Sequence, residues 1–283
     1  MRFNRRERAD KAKKAEIDLE DYYLKWLPPE LRRRPLVSQP GVDCSQCLMT
    51  RSHNPLNRSP FLSDLKCCTF HPFLPNFSIG RLLSRSNKIK DQLSQMIQKR
   101  QFILPIGVVA PPSYQQEFLE KQAEDFGRAE RLICPFFNSE SQNCNLWIDR
   151  PGECRTYYCR EGSFGRYWAL LREYYNHLEM VVVQHALLEK GYSVEEIEYQ
   201  LEWIRWPDPE KRNNGQCQMN LVEWQKIWAH HQSHPVQFFM NIWEWANRLT
   251  WSDLQTMGIE EENHEIRNLI DEYRRCLQAE SLT

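Results

Sequence analysis

The chain has no long apolar run. Its apolar runs, such as Met180-Val181-Val182-Val183, fall far short of the roughly 20 residues a helix needs to span a bilayer. The start, Met1-Arg2-Phe3-Asn4-Arg5-Arg6, is basic with no apolar segment behind it, so it does not read as a secretory signal. Charge of one sign is also missing: 37 Lys and Arg against 38 Asp and Glu give a net charge of -1. That balance gives no global reason to expect nucleic acid or an acidic membrane as partner. Glycine is scarce, with ten residues in 283, few for loops that cradle phosphate. No G-x-G-x-x-G, Walker loop, H-E-x-x-H or nucleophile elbow occurs, nor the C-x3-C-x2-C spacing of radical S-adenosylmethionine enzymes. A cytoplasmic protein is expected, with no membrane span.

Cysteine, by contrast, is abundant and unevenly placed. Of ten cysteines, eight lie between residues 44 and 159. They are Cys44-x-x-Cys47, the adjacent pair Cys67-Cys68, and Cys134, Cys144, Cys154 and Cys159. In a reducing cytosol such a cluster points to metal binding or redox work rather than to disulfides. Thiolates are soft ligands that select zinc, copper(I) or iron–sulfur clusters. Eight of them could form two four-thiolate zinc sites, one cluster with spare thiols, or two clusters. Adjacent cysteines rarely ligate one ion together, because neighbouring side chains diverge, so Cys67 and Cys68 are expected to serve different metals or to supply one ligand between them. Arg150, Arg155 and Arg160 surround the last two cysteines. Cations there lower thiol pKa values and offset the charge of a thiolate-ligated centre, which makes Arg150 and Arg155 candidate cofactor-binding residues. Cys217 and Cys276 stand alone on helical segments and read as apolar fillers.

The order Cys134-Pro135-Phe136, Cys144, Trp147-Ile148, Arg150-Pro151 and Cys154-Arg155-Thr156-Tyr157, closed by Cys159, resembles the YkgJ-like cysteine-cluster family of zinc- or iron-chelating domains. The resemblance covers residues 44–160. It departs upstream, where the family's compact C-x2-C-x2-C-C is split here by residues 48–66; His53 and His71 lie in or just after that insertion and read first as surface or core residues, with substitute ligands as the alternative. The family is similar in turn to the cysteine-rich part of flagellin lysine N-methylases, where an iron–sulfur centre is implied. With the neighbouring arginines, the resemblance implies an iron–sulfur cluster ahead of zinc.

Elsewhere the patterns are helical. Residues 1–34 are highly charged, and a solvated or frayed amphipathic helix is expected there before Pro28-Pro29. Helical spacing marks residues 81–100 through Leu82, Leu83, Ile89, Leu93, Met96 and Ile97, and marks 113–131. Phe102 to Val109, broken by Pro105 and Gly107, suits an extended edge segment. Two apolar runs, 132–137 and 144–149, predict a β-hairpin that sets Cys134 and Cys144 together across its ladder. From residue 164 a buried stripe is expected through Tyr167, Leu171, Tyr174, Leu178, Val181, His185 and Leu188, ended by Gly191. Ser193 and Glu196 predict a capping box for a helix reaching Trp206, and helices near 219–232, 235–249 and 259–279 follow. Seven tryptophans lie between 203 and 251; packing between helices is the expected role, not a ligand pocket. His230, His231 and His234 read as surface residues.

The expected fold is mainly α, with an irregular cysteine-rich metal-binding module and a short β-hairpin packed on a helical C-terminal half. The expected division is a charged helical leader (1–35), the cysteine module (36–162) and a Trp-rich helical region (163–283). The metal would be catalytic or redox-active, or it would be structural, with the helical half serving a protein partner. No catalytic residue is assigned.

Overall fold

The computed structural model describes residues 21–28, 47–53, 59–85, 88–147, 149–157, 164–204 and 218–259, and single positions between 264 and 275. It is mainly helical with a small antiparallel sheet. The first element is α1 (Asp21–Trp26). Tyr23, Trp26 and Leu27 are fully buried, which corrects the expectation of a solvated helix for this stretch. Large aromatic side chains carry it inward: Tyr23 meets Tyr175 edge-on at 5.2 Å and Trp26 meets Phe77 at 5.1 Å. Such pairs add to the gain from area burial.

β1 (Leu74–Pro75) leads directly into α2 (Asn76–Leu83), and α3 (Lys88–Gln98) follows. The expected apolar stripe of 81–100 is buried throughout, but it belongs to two helices that part after Leu83. α3 is one-sided, burying Ile89, Leu93, Met96 and Ile97, whereas every residue of α2 is buried. β2 (Ile103–Leu104) and β3 (Gly107–Val108) then complete a three-stranded sheet in the order β1-β3-β2. Val108 pairs with both Leu74 and Ile103. The 102–109 segment is therefore extended as expected, but its second half is the sheet's centre rather than an edge. The backbone polar groups flanking the sheet are satisfied by Asn76, whose N–H donates to the Ile106 carbonyl at 3.0 Å and whose Nδ2 donates to the Pro105 carbonyl at 3.1 Å.

α4 (Pro112–Asp125) is kinked at Lys121 and gives way to a 3-10 turn at Glu130–Leu132. β4 (Phe137–Asn138) pairs with β5 (Asn143–Cys144), and α5 (Gly152–Arg155) is one short turn. α6 (Phe164–Glu189) is the longest described helix. Among its described side chains the buried positions are Tyr174–Tyr175, Leu178–Glu179, Val182–Val183 and Ala186–Leu187. This stripe repeats every four residues, so it drifts from the expected one: Val181 and His185 are only half-buried, and Leu188 is exposed. Gly191, at a φ of +84°, ends the helix, and the Ser193–Glu196 capping box opens α7 (Val194–Leu201). α8 (Leu221–Trp228), α9 (Pro235–Ala246) and α10 (Trp251–Thr256) complete the described helices. Trp206, Cys217 and Cys276 lie outside the described residues.

One apolar core runs from Tyr23 to Ile259 through all of these elements except α4, the Glu130–Leu132 turn and α5. The tryptophans fill it: Trp228 is fully buried, meets Phe238 and Phe239 at 5.5 Å, and donates its Nε1–H to the Ile103 carbonyl at 3.3 Å. α2 lies closest to α9, because Gly80 lets the two backbones meet. A Cβ on Gly80 would stand 1.9 Å from the Phe239 carbonyl oxygen.

Alanine favours a helix interior by about 1 kcal/mol over glycine, yet Gly80→Ala is expected to destabilise the protein by about 2 kcal/mol through this clash with rigid backbone. Urea unfolding reads the sign directly. A neutral or stabilising result would mean that α2 and α9 stand further apart.

Candidate metal centre

Four separate pieces of chain carry the described cysteines, and each is held by its own contacts. Cys47 opens a 3-10 turn (Leu48–Thr50) in which Thr50 Oγ1 donates to the Cys47 carbonyl at 2.7 Å. Met49, buried beside it, accepts from Phe61 N–H at 2.8 Å through its carbonyl. Cys67 and Cys68 end a tight turn from Leu62, in which Lys66 sits at a φ of +57°. Lys66 Nζ reaches across to donate to the Gln142 carbonyl at 2.6 Å, tying this turn to the tip of the β4–β5 hairpin.

Cys134 joins the same group through its backbone, its N–H donating to the Cys68 carbonyl at 2.7 Å. Tyr114 reinforces the junction, its hydroxyl lying 2.8 Å from the Thr69 carbonyl and 3.0 Å from that of Leu132. Cys144 stands in β5 opposite Phe137. The hairpin is real but shorter than expected, and Cys134 is not in its ladder. Leu132 closes the preceding 3-10 turn and the Cys134 carbonyl accepts from Phe137 N–H at 3.0 Å, so pairing begins only at Phe137. Cys154 lies in α5, whose position is fixed by Gly152: a Cβ there would meet Tyr175 Cβ at 2.5 Å. Cys44 and Cys159 lie outside the described residues.

Electrostatics shows that the thiols share one neighbourhood. Hydrogen bonding with Cys68 pushes the Cys67 thiol well up, with burial and the charge of Cys68 adding to it and Arg150 opposing. Burial pushes Cys134 up to about 12, helped by Cys144 and Cys67 and opposed by the Phe136 N–H. Burial also holds Cys154 far above the usual range, helped by Cys134, Cys67 and Cys144. Cys47 is raised by burial first and by Cys67 among lesser causes. Cys67, Cys134, Cys144 and Cys154 therefore form a mutually repelling set if deprotonated. Near neutral pH, Cys67, Cys134 and Cys154 are neutral thiols unless a cation takes the place of their protons. Cys47, Cys67, Cys68, Cys134, Cys144 and Cys154 form no disulfide. Among the described residues, no group of three or more His, Cys, Asp or Glu is drawn together as closely as a bound metal ion requires.

The two arginines part company. The Arg150 guanidinium lies 3.9 Å from the centre of the Trp147 ring, and its charge reaches Cys67. Arg155 bonds the Arg150 carbonyl at 3.2 Å through Nη2 and lies over the Tyr23 ring at 4.4 Å, so its charge acts on the α1 side. His53 is exposed. His71 is buried, held neutral near 4 by burial, and engaged at Nδ1 with the Pro72 carbonyl at 3.1 Å. His231 Nε2 engages the Lys190 carbonyl at 2.9 Å, while His230 and His234 are exposed.

Two groups that sequence reading missed support the site. Asp149 is buried between Arg81 and Arg85: Arg81 Nε stands 2.9 Å from Oδ1, and Arg85 Nη1 donates to Oδ2 at 2.9 Å. This holds the loop between Cys144 and Cys154 against α2. Glu179 is buried beneath α5 and accepts from Gly152 N–H at 2.8 Å. Its only signal in the sequence is an acidic residue inside the four-residue apolar repeat of α6. No family model, curated protein or solved structure matches the chain.

Mild diamide oxidation of metal-free protein is expected to link cysteines 67 or 68, 134, 144 and 154 within one chain, read by non-reducing peptide mapping. Disulfides form only when Cα atoms come within about 7 Å. Purely intermolecular bridges would mean that these thiols do not converge.

Proposed function

We propose that this is a thiolate-ligated metal protein. Its centre is held by Cys67, Cys134, Cys144 and Cys154, with Cys44, Cys47, Cys68 and Cys159 as the further ligands of the set. The observation that carries the reading is the mutual influence of four thiols, Cys134 buried and Cys67, Cys144 and Cys154 half-buried, that the fold gathers from separate segments. Burying several thiols together is costly if they ionise without a cation, and a soft metal ion supplies that cation. Metal uptake would expel their protons and draw the ligands together, as metal binding coupled to local folding does.

An iron–sulfur cluster is the favoured occupant. The likeness to the YkgJ-like motif and the Arg150 charge beside Cys67 both support it, since a nearby cation offsets the negative charge of a thiolate-bound cluster. Such a cluster would supply one-electron redox chemistry; the chain's own part is to bind it, shield it and set the local charge. Cys134 and Cys154 lie in well-packed surroundings, which also fits a closed structural zinc site. In that second reading the helical half serves a protein partner. Either centre fits the reducing cytoplasm.

Protein purified without oxygen should contain iron and acid-labile sulfide and absorb broadly near about 400 nm. Cys134→Ser should lose the bound metal and lower the melting temperature. Stoichiometric zinc without colour would select the second reading. Full metal content in Cys134→Ser, with unchanged melting, would overturn the ligand assignment.

A further inference from the structure

Glu179 is the one glutamate among the described residues that is almost fully enclosed, and three elements meet on it. It projects from α6. Tyr23 of α1 donates its hydroxyl to Oε1, and the N–H of Gly152, at the start of α5, donates to the same oxygen at 2.8 Å. Tyr175, one turn before Glu179, packs edge-on against Tyr23 and blocks any side chain at position 152. Among the described residues, the charged side chains that act on the carboxyl are on α5: Arg155, which favours ionisation, and Glu153, which opposes it. Arg155 also covers the Tyr23 ring at 4.4 Å.

We propose that the Tyr23–Glu179–Gly152 cluster is a pH-sensitive latch, which fastens α1 and the Cys154-bearing helix to α6 at acid pH and loosens as the pH rises through neutral. Both donors converge on one oxygen. A neutral carboxyl suits this arrangement, with Oε1 as the carbonyl acceptor and the proton on Oε2. An ionised carboxylate gains from the same two donors and from Arg155, but it is stripped of water, and burial is the largest influence on the group. The balance raises its pKa from the usual 4.5 to about 7. The folded chain thus holds this proton more tightly than the unfolded chain does. The stabilisation is complete below the unfolded value and is lost as the pH rises through about 7. The latch does not depend on a metal at the cysteines. Its consequence for the proposed centre is that the anchoring of Cys154 varies with pH.

The test compares full-length wild type with Glu179→Gln and Tyr23→Phe. An amide keeps the Oε1 acceptor and places a neutral group where the proton would sit. Between about pH 5 and about pH 8, the unfolded-to-folded ratio of wild type should rise relative to Glu179→Gln by one to two orders of magnitude, roughly. Tyr23→Phe should lose stability yet keep the pH dependence. Hydrogen exchange at fixed pH should show α1 and α5 amides less protected in wild type than in Glu179→Gln at the alkaline end, and alike at the acid end. Parallel stability curves for wild type and Glu179→Gln would overturn the latch, because a purely structural contact gives an offset without pH dependence. Should Glu179→Gln fail to fold, a carbon-13 carboxyl titration of wild type decides: a glutamate titrating near 7 supports the latch, and all glutamates titrating below about 6 overturn it. Metal content plays no part in these readouts, so the latch and the metal centre fail separately.

Discussion

A buried guanidinium organises this molecule. Every residue of α2 is buried, so Arg81 is largely removed from solvent and needs a fixed anionic partner. Removing either member of such a pair leaves an uncompensated buried charge, at a cost of about 3–5 kcal/mol. The partner is Asp149, which Arg85 grips from the other side. That bridge fixes the chain between the β4–β5 hairpin and α5, and with it the approach of Cys144 and Cys154. Gly80 is the other half of the constraint. It lets α9 press directly on α2, which leaves Arg81 under the Trp243 ring at 5.5 Å.

The cysteine region has little helix or strand of its own. Its backbone groups are satisfied mainly by turns and by bonds between segments, such as Cys134 N–H to Cys68 and Lys66 Nζ to Gln142. An irregular segment of this kind is stable only where something gathers it. Part of that work falls to the apolar cluster of Tyr114, Phe118, Phe126 and Leu132. The rest is what a shared cation would supply. The raised thiol pKa values and the proposed metal share one origin: several thiols lie close together, with Arg150 and Lys66 as the cations that act on them among the described residues.

Periodicity made much of the fold legible. The capping box at Ser193, the apolar face of α3 and the helices that carry the tryptophans follow from spacing alone. Three things did not follow. α1 reads as solvated because its sequence is charged, yet Tyr23, Trp26 and Leu27 outweigh the charges by burial. The hairpin reads longer than it is, because Leu132 and Cys134 have turn partners that no alternation pattern reveals. Glu179 and Asp149 gave no signal of a buried role, since their partners lie 27 and more residues away in sequence. The cysteines themselves were conspicuous; which of them meet was not, because that depends on the Arg81–Asp149 bridge and on the fit of α5 beneath Tyr175.

X-ray absorption at the iron and zinc edges of protein purified without oxygen tests the central claim most directly. A first shell made of sulfur at about 2.3 Å is the predicted result for a centre held by cysteine thiolates. A shell of nitrogen and oxygen, or no stoichiometric metal at all, would contradict it.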